Sequence, residues 1–292
     1  MATSLVPSMN SASKKPISLD DIIEMEARVS AALGRVREGM LAPTETKTAP
    51  SYNSNELALL TGIEKSKLQY RIKKGDLPPG TLTATGAKRV WTLEEARKWV
   101  IASRKKMLRP ADLVAGTVIC VANFKGGVAK TTTTATLAQG LSLRGHKVLV
   151  IDTDPQGSLT ELFGIKPSSV DVSETVLPLY QGEEETLDYA VRPTYWDGID
   201  IVKSFPMVFD AEFSLPGQQM QNPKFEFWSV LDGGLDNLRN QYDVIVIGGG
   251  PLAMEVASGC RATGSAVTLI SRRAPMTSQL GDVLAGALGA AA

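Results

Sequence analysis

The sequence predicts an α/β protein with a mostly parallel sheet, preceded by a smaller, mainly helical module. After Pro110 the chain alternates β-branched runs with helical segments, which is the pattern of βαβ units. Before Pro110, short amphipathic helices alternate with turn residues. At 292 residues and 43% hydrophobic content, the chain is long enough for about two domains.

The cysteine and histidine content and the lack of long apolar runs exclude several classes of site and protein. Cys120 and Cys260 lack paired spacing, so neither a disulfide framework nor a zinc site is expected, and a reducing compartment is indicated. The single histidine, His146, excludes a histidine-based catalytic triad or a histidine metal cluster. No apolar run approaches the ~18 residues of a membrane span. We therefore expect a cytoplasmic protein without membrane contact.

Residues 1–17 are rich in Ser, Lys and Pro and are expected to be disordered. Residues 18–40 predict one amphipathic helix whose apolar residues recur at spacings of three and four. These residues are Ile22, Met25, Val29, Leu33, Val36 and Met40. Such a lone helix needs a partner for its narrow apolar seam, either a second copy in a homodimer or its own domain. Residues 41–52 have the composition of a linker.

Residues 53–109 predict a winged helix-turn-helix DNA-binding domain. The order is helix, turn, basic helix, hairpin and a third helix that opens with the capping box Thr92-x-x-Glu95. Residues 51–109 carry 13 Lys and Arg against 5 Asp and Glu, whereas the whole chain has no net charge. This excess favours a nucleic-acid partner, although a merely solvated helix face is the alternative. The candidate DNA-binding residues are Lys65, Lys67, Gln69, Arg71, Lys73 and Lys74 on the second helix, and Lys88 and Arg89 on the hairpin.

A phosphate-binding loop is predicted between the strand "TVICVAN" and the helix "TTTTATLAQG". Glycines let the backbone approach an anion, and the helix N-terminus supplies positive potential for phosphate oxygens. Lys130 would reach the β- and γ-phosphates, and the Thr131 hydroxyl would bind Mg²⁺. Ala129 replaces the usual glycine at little cost if its φ is negative. The candidate nucleotide-binding residues are Gly126, Gly127, Val128, Ala129, Lys130, Thr131 and Thr132.

Lys125 distinguishes this loop, because an ordinary phosphate loop has one lysine and this one has a second at its entry. The loop backbone lies between Lys125 and the phosphates of its own chain. A natural target is therefore the nucleotide of a facing protomer, where a cation donated in trans assists phosphoryl transfer. The loop indicates an ATP-dependent dimer switch.

The segments "KGGVAKTT" and "VLVIDTDPQGSLT" resemble the deviant Walker A loop and the following strand motif of the ParA-type partition ATPases. With its leading helix and winged helix-turn-helix, the chain is similar to the larger plasmid-type members and to the RepA proteins of RepABC replicons. The resemblance implies a phosphate-loop NTPase fold over residues 110–292. It also implies ATP or ADP with Mg²⁺ as cofactors, and operator and nonspecific double-stranded DNA, a ParB-type centromere-binding protein and a second copy as partners.

The resemblance also implies roles for single residues. Lys125 would be the signature lysine and Lys130 the phosphate lysine, and Asp154 would orient or polarise the attacking water. Asp152 would support the metal shell together with Thr131. The implied function is that of a nucleoid-associated partition ATPase that also represses its own operator.

Two departures from the family pattern matter. Gly248 stands where the family's third strand ends in an aspartate that holds the Mg²⁺ shell, so hydrolysis is expected to be slow or absent. The chain also ends before the family's last strands and helices, so we expect a C-terminally truncated ATPase domain. A DNA-binding repressor that retains nucleotide but has lost hydrolysis is the first alternative.

The segment "VIVIGGGPLAMEVASGC" suggests a second alternative. A strand followed by Gly248, Gly250 and Ala253, with Arg272 and Arg273 about twenty residues further on, is typical of a site for a phosphorylated dinucleotide such as FAD or NADP. Only about forty residues follow Gly250, too few for the rest of a domain of ~100 to 150 residues.

Overall fold

The computed structural model describes residues 18–40, 47–110, 113–123, 126–222, 224–249 and 267–269. The chain divides into two compact units, residues 1–46 and 47–292. In the first unit, helix α1 spans Leu19–Met40. Its N-terminus is capped by Ser18, whose hydroxyl accepts from the Asp21 backbone N–H while the Asp21 carboxylate accepts from Ser18. The side chains of Ile22, Met25 and Val29 are exposed.

The second unit contains helices and strands throughout its length. In chain order the elements are β1 Ser51–Asn53, α2 Ser54–Thr61, α3 Lys65–Lys74, β2 Thr81–Leu82, β3 Arg89–Thr92, α4 Leu93–Arg104, β4 Thr117–Ala122, α5 Lys130–Ser142, β5 Val148–Asp152, α6 Ser158–Leu162, α7 Leu177–Gln181, β6 Arg192–Pro193, β7 Ile199–Val202, α8 Phe209–Gln221, α9 Phe227–Gly234, α10 Asp236–Gln241, β8 Val244–Gly249 and β9 Val267–Leu269. No helix in the described ranges is both long enough and apolar enough to cross a membrane.

The elements from β1 to α4 form a small module that we call the basic module (residues 51–109). Its three-stranded antiparallel sheet has the order β1-β3-β2. Strand β1 is a correction to the linker predicted over residues 41–52, since Ser51 and Tyr52 pair with Thr92 and Trp91 of β3. Three residues are too few to show an alternating pattern, which is why this strand could not be recognised in the sequence.

The core of the basic module is built around two tryptophans. Trp91 and Trp99 are buried, and the indole N–H of each donates to the carbonyl oxygen of Pro78, at 3.0 and 2.8 Å. Leu57 and Leu68 bring α2 and α3 onto this core. The predicted capping box of α4 is confirmed, because the Thr92 hydroxyl accepts from the Glu95 N–H and the Glu95 carboxylate accepts from the Thr92 N–H.

The rest of the second unit, which we call the sheet domain, contains a six-stranded sheet with the order β6-β7-β5-β8-β4-β9. All neighbours pair in parallel except β6, which is antiparallel to β7. This confirms the predicted mixed α/β fold with a mostly parallel sheet. The carboxyl ends of β4, β5 and β8 lie side by side, since Val121 is in register with Gly248 and Gly248 with Asp152.

The two faces of the sheet are covered by separate apolar clusters. Leu149, Ile151, Ile245 and Ile247 face the cluster that includes residues of α7 to α10. Val148, Val150, Val244 and Val246 face the cluster that includes residues of α5 and α6. Burial on both faces explains the continuous β-branched runs of β5 and β8. It also fixes α5 against the centre of the sheet, with its first residue at the end of the loop that follows β4.

Candidate functional site

The loop between β4 and α5 alternates in backbone handedness. Gly127 and Ala129 have left-handed φ values of 69° and 63°, whereas Val128 between them does not. Successive main-chain N–H groups in such an alternation form a concave anion-binding turn. A Cβ atom placed on Gly126 or Gly127 would meet nothing within 4 Å, so space lies in front of the loop.

Ala129 does not meet the condition under which it would replace glycine at little cost, because its φ is positive at 63°. Left-handed backbone costs an L-residue about 1–2 kcal/mol. Ala129 is the residue before α5 and its side chain offers no capping hydrogen bond. The loop therefore keeps a strained conformation that a glycine would adopt freely, as at Gly127, and the compact turn persists because the packed helix and strand on either side fix it.

The first residues of α5 carry the side chains that were predicted to bind phosphate. Lys130 is the first helical residue, and Lys130, Thr131 and Thr132 are half-buried or exposed. The N–H groups of a first helical turn have no intrahelical acceptors, and the helix dipole adds positive potential there. The N–H groups and side chains of this turn suit the phosphate oxygens of a nucleoside triphosphate. Lys125 lies outside the described residues, so its role towards a second protomer stays a prediction.

Asp152 lies at the carboxyl end of β5 and holds the following loop. It is fully buried; one carboxylate oxygen accepts from the Asp154 N–H, and the other accepts from the Thr160 N–H and hydroxyl, at 2.9 and 2.8 Å. Burial raises the pKa of Asp152 to about 6, against the opposing effect of the hydrogen bonds from Thr160 and Asp154. With both oxygens engaged, Asp152 fits a supporting position behind a Mg²⁺ shell better than direct coordination.

Asp154 lies closer to solvent than Asp152. It is half-buried, and its carboxylate accepts from the Gln156 N–H at 3.0 Å, which fixes a short turn before α6. The Gly157 N–H closes the same turn on the Asp154 carbonyl at 2.8 Å. Asp154 therefore has a fixed orientation at the edge of the sheet where α5 begins, and it fits a group that orients water.

Gly248 supplies no carboxylate at the end of β8, and the space beside it is filled. A Cβ atom on Gly248 would lie 2.7 Å from Thr134 Oγ1 and 2.8 Å from Thr134 Cγ2. Thr134 is fully buried on α5, where its hydroxyl donates to the Lys130 carbonyl oxygen. Among the described residues, no group of three or more His, Cys, Asp or Glu side chains is placed to hold a metal ion. The site therefore fits Mg²⁺ with one carboxylate fewer than the resemblance implies.

Seven of the eight predicted DNA-binding residues line a groove or lie exposed on α3. The side chains of Lys65, Gln69, Lys88 and Arg89 line a groove of about 490 Å³ between α3 and the β2–β3 hairpin. Lys67 and Lys74 are exposed and lie 3.8 and 3.3 Å from Glu64 and Asp76, in surface pairs that contribute little to stability. Lys73 is exposed on the same helix.

Two predicted DNA contacts have structural partners within the module. The Arg71 guanidinium lies 5.6 Å from the centre of the Trp99 ring, and this cation–π contact directs it inward. Arg89 donates to the carbonyl oxygens of Pro79 and Gly80, at 2.7 and 3.2 Å, and so fastens the base of the hairpin.

Helical spacing from buried Leu68 places a different residue, Tyr70, at the centre of the outward face of α3. Its side chain is 70% exposed. Tyr70 was not among the predicted DNA-binding residues, because excess positive charge was the signal that selected them and tyrosine carries none. An exposed aromatic residue within a basic helix is the sequence feature that could have indicated it.

Comparisons with known proteins agree with this geometry. A family profile described as "AAA domain" matches residues 116–271, more than half of the chain. Protein SopA of Escherichia coli (strain K12) is 33% identical over 218 residues, which cover 72% of this chain and 55% of SopA. The chain belongs to the ParA/SopA-like partition ATPase family.

Two further similarities extend this assignment. The Putative replication protein A of Sinorhizobium fredii (strain NBRC 101917 / NGR234) is 29% identical over 257 residues, which cover 80% of this chain and 60% of that protein. A solved structure titled "Partition Protein" matches 82% of this chain and 68% of its own at a TM-score of 0.52 and 19% identity, which concerns the fold alone. The chain spans little more than half the length of these curated relatives.

Replacing Ala129 with glycine is expected to stabilise this family member, because glycine adopts the left-handed backbone without strain. We expect Ala129→Gly to raise the free energy of unfolding by about 1 kcal/mol in urea denaturation. Gly127→Ala is the matched reverse change, since its Cβ meets nothing and only the backbone conformation opposes it. It should lower the free energy of unfolding by a similar amount. A change in the free energy of unfolding with the same sign in both variants would contradict backbone strain at Ala129.

A carboxylate at position 248 is expected to clash with Thr134. Gly248→Asp should lower the free energy of unfolding by about 1–3 kcal/mol, as overpacking typically does. Thr134→Ala removes both nearest atoms, so Gly248→Asp should cost less in that background. A double-mutant cycle in urea measures the difference, and additive effects of the two substitutions would show that Thr134 is not the obstacle.

Proposed function

We propose that this chain is an ATP-dependent DNA partition ATPase that also binds its operator as an autorepressor, with slow hydrolysis. The observation that carries the nucleotide part is the left-handed alternation at Gly127 and Ala129 directly before α5. Lys130 and Thr131 follow this turn directly, and β5, which ends at Asp152, is separated from β4 by β8 alone, which supports a shared site at the carboxyl edge of the sheet. The family of the chain supports ATP or ADP with Mg²⁺ as the ligands.

The proposed roles follow from position. Lys130 and the residues Gly126 to Thr132 bind the phosphates, and Thr131 contributes its hydroxyl to Mg²⁺. When bound, Mg²⁺ neutralises developing charge on the phosphates. Asp152 supports the metal shell through the loop that it holds, and Asp154 orients water. Lys125 serves the nucleotide of a second protomer.

Slow hydrolysis follows from the missing carboxylate at Gly248. The nearest buried carboxylate, Asp152, is already engaged by Thr160 and the Asp154 N–H. The site retains the groups that bind phosphate, whereas the shell that holds Mg²⁺ has one carboxylate fewer. A repressor that binds nucleotide and does not hydrolyse it is therefore the main alternative, and turnover measurements separate the two.

DNA is the proposed partner of the basic module, through operator and nonspecific contacts. Its groove carries Lys65, Gln69 and Lys88. The exposed face of α3 carries Tyr70 and the lysines Lys67, Lys73 and Lys74. Cationic side chains contact phosphates, whereas base edges are read by hydrogen bonds and apolar contacts, for which Gln69 and Tyr70 are suited. The two arginines described above, on α3 and on the hairpin, maintain the module instead.

The remaining partners follow from the family and from α1. The exposed Ile22, Met25 and Val29 fit a homodimer contact between two copies of α1. A ParB-type centromere-binding protein is the proposed partner in partition, and the proposed location is the cytoplasm in association with the nucleoid. No membrane contact forms part of the proposal.

The sheet order argues against the FAD or NADP alternative. In a dinucleotide-binding βαβ unit, the strand before the glycines and the strand after the helix are neighbours in the sheet. Here β8 and β9 lie on opposite sides of β4. Thr134 of α5 also lies close beside Gly248, since a Cβ atom there would be 2.7 Å from the Thr134 hydroxyl oxygen. Arg272 and Arg273 lie outside the described residues.

Nucleotide binding and turnover test the proposal. Lys130→Ala is expected to abolish most ATP binding in calorimetry, because it removes the phosphate cation. Lys125→Ala should leave ATP binding largely intact and lower ATP-dependent dimer formation, measured by light scattering. If Lys125→Ala lost as much ATP binding as Lys130→Ala, the role of Lys125 in trans would be contradicted.

ATP turnover separates the alternatives. Mg²⁺-dependent turnover above that of Lys130→Ala would exclude the repressor that lacks hydrolysis. Tight NADP binding without ATP binding would overturn the proposal.

Salt dependence tests the DNA surface. Lys67→Ala with Lys73→Ala should make the log–log salt slope of DNA binding shallower by about 0.9 for each phosphate that the protein no longer neutralises. Lys166→Ala removes an exposed lysine of the sheet domain and should leave the slope unchanged. A Lys67 and Lys73 double variant that keeps the slope of the unmodified chain would assign both charges to solvent.

Sequence selection tests the role of Tyr70. Tyr70→Ala should alter the sequences selected from a random duplex pool more than it alters the overall affinity for DNA.

A further inference from the structure

Arg97 joins the basic module to the far end of the phosphate-loop helix. It lies on α4, and its side chain is only 9% exposed. Its Nε donates to the carbonyl oxygen of Ser142, the last residue of α5, at 3.0 Å. One terminal nitrogen donates to the His146 carbonyl at 2.9 Å, and the other pairs with the Asp197 carboxylate. The three acceptors use the planar fork of the guanidinium, a geometry that lysine cannot reproduce.

The sheet domain is shaped to receive this side chain. Gly198 has a left-handed φ of 79°, and a Cβ atom there would overlap the guanidinium of Arg97. The Ser142 hydroxyl donates to the Asp197 carbonyl oxygen at 2.8 Å. Ser142, Asp197 and Gly198 therefore form a fitted socket around the guanidinium, and the end of α5 is one wall of it.

Apolar contacts surround the socket. Leu93, the first residue of α4, is buried in the same apolar cluster as Ala138 of α5 and Val148 of β5. The space beside Gly145 is bounded by Ile101 and Leu108 from the end of the basic module. These contacts make the basic module part of the same packed body as the sheet domain, with α4 against the end of α5.

The two ends of α5 thus contact different parts of the molecule. Its 13 residues span about 20 Å, from Lys130 at the phosphate loop to Ser142 at Arg97. An anion at the first turn and a cation at the last carbonyls both interact favourably with the helix dipole. If a ligand at the first turn displaced α5 along the sheet, the Ser142 carbonyl would move with the helix, and α4 would have to follow it or lose the hydrogen bond from Arg97.

We propose that Arg97 is the positioning residue through which nucleotide binding at the start of α5 changes the DNA affinity of the basic module. This inference rests on the proposed function, because it requires both ATP and DNA to bind. Coupling between two ligands is reciprocal, so DNA must change nucleotide affinity by the same factor. The coupling factor is therefore a quantity that a purely structural role of Arg97 would leave unchanged.

The experiment measures that factor in the full chain. Fluorescence anisotropy of a mixed-sequence duplex gives the DNA dissociation constant with ADP and with a non-hydrolysable ATP analogue, each with Mg²⁺. In the unmodified chain the ratio is expected within the range of allosteric couplings, about 5- to 150-fold. Arg97→Ala and Arg97→Lys should bring it to within about twofold of unity, while each ligand still binds alone. The duplex-induced change in affinity for the ATP analogue, divided by the duplex-induced change in affinity for ADP, should give the same factor.

Two further variants serve as controls. Gly198→Ala should push the guanidinium out of the socket and lower the coupling factor without a change to Arg97, which covers the case in which Arg97→Ala fails to fold. Lys98→Ala is the matched control, because Lys98 neighbours Arg97 on α4 but pairs with Glu94 on the exposed side of the helix. It should leave the factor unchanged.

Each outcome decides the inference. An unchanged factor in folded Arg97→Ala and Gly198→Ala would overturn it, as would a factor of unity in the unmodified chain that binds both ligands. Both of those results leave the proposed function standing. A chain that binds neither ATP nor DNA would overturn the proposed function and the inference together.

Discussion

The constraint on which the candidate site depends is the N-terminal end of α5. The first N–H groups of a helix have no intrahelical acceptors, and Ala129 before α5 gives them no side-chain cap, so solvent or a ligand is left to satisfy them. The chain reaches this helix through a turn that holds Ala129 in left-handed backbone. Strain persists only where the surrounding structure fixes it, and β4 and α5 on either side provide that fixation.

The carboxyl edge of the sheet shows how one small residue changes the chemistry of its neighbours. Glycine at position 248 lets Thr134 approach β8, and the Thr134 hydroxyl turns back to the Lys130 carbonyl. Threonine and glycine therefore act as a pair that fills the space of an acidic side chain. Asp152 is a buried carboxylate at this edge, and its hydrogen bonds with Thr160 fix the loop before α6.

Much of the fold could be predicted because it depends on local patterns, whereas contacts between distant residues left no such signal. The β-branched runs of β4 and β5 and the capping box of α4 are each written within a few adjacent residues. The sign of φ at Ala129 was left open by the sequence, because that angle depends on what packs on either side of the loop. Arg71 looks like a free cation in the sequence, and only the folded module shows Trp99 beside it. Arg97 lies 100 residues from Asp197, so spacing could not reveal the pair.

The edge strands β1 and β6 differ in how they pair and in what they leave unpaired. Strand β1 is too short for a sequence pattern and exists because β3 offers it an edge. Strand β6 closes the outer side of the large sheet: with two residues and Pro193, which has no N–H, it offers an incoming strand almost no ladder to extend. Few unpaired ladder groups are therefore left on that side of the sheet, which disfavours edge-to-edge aggregation.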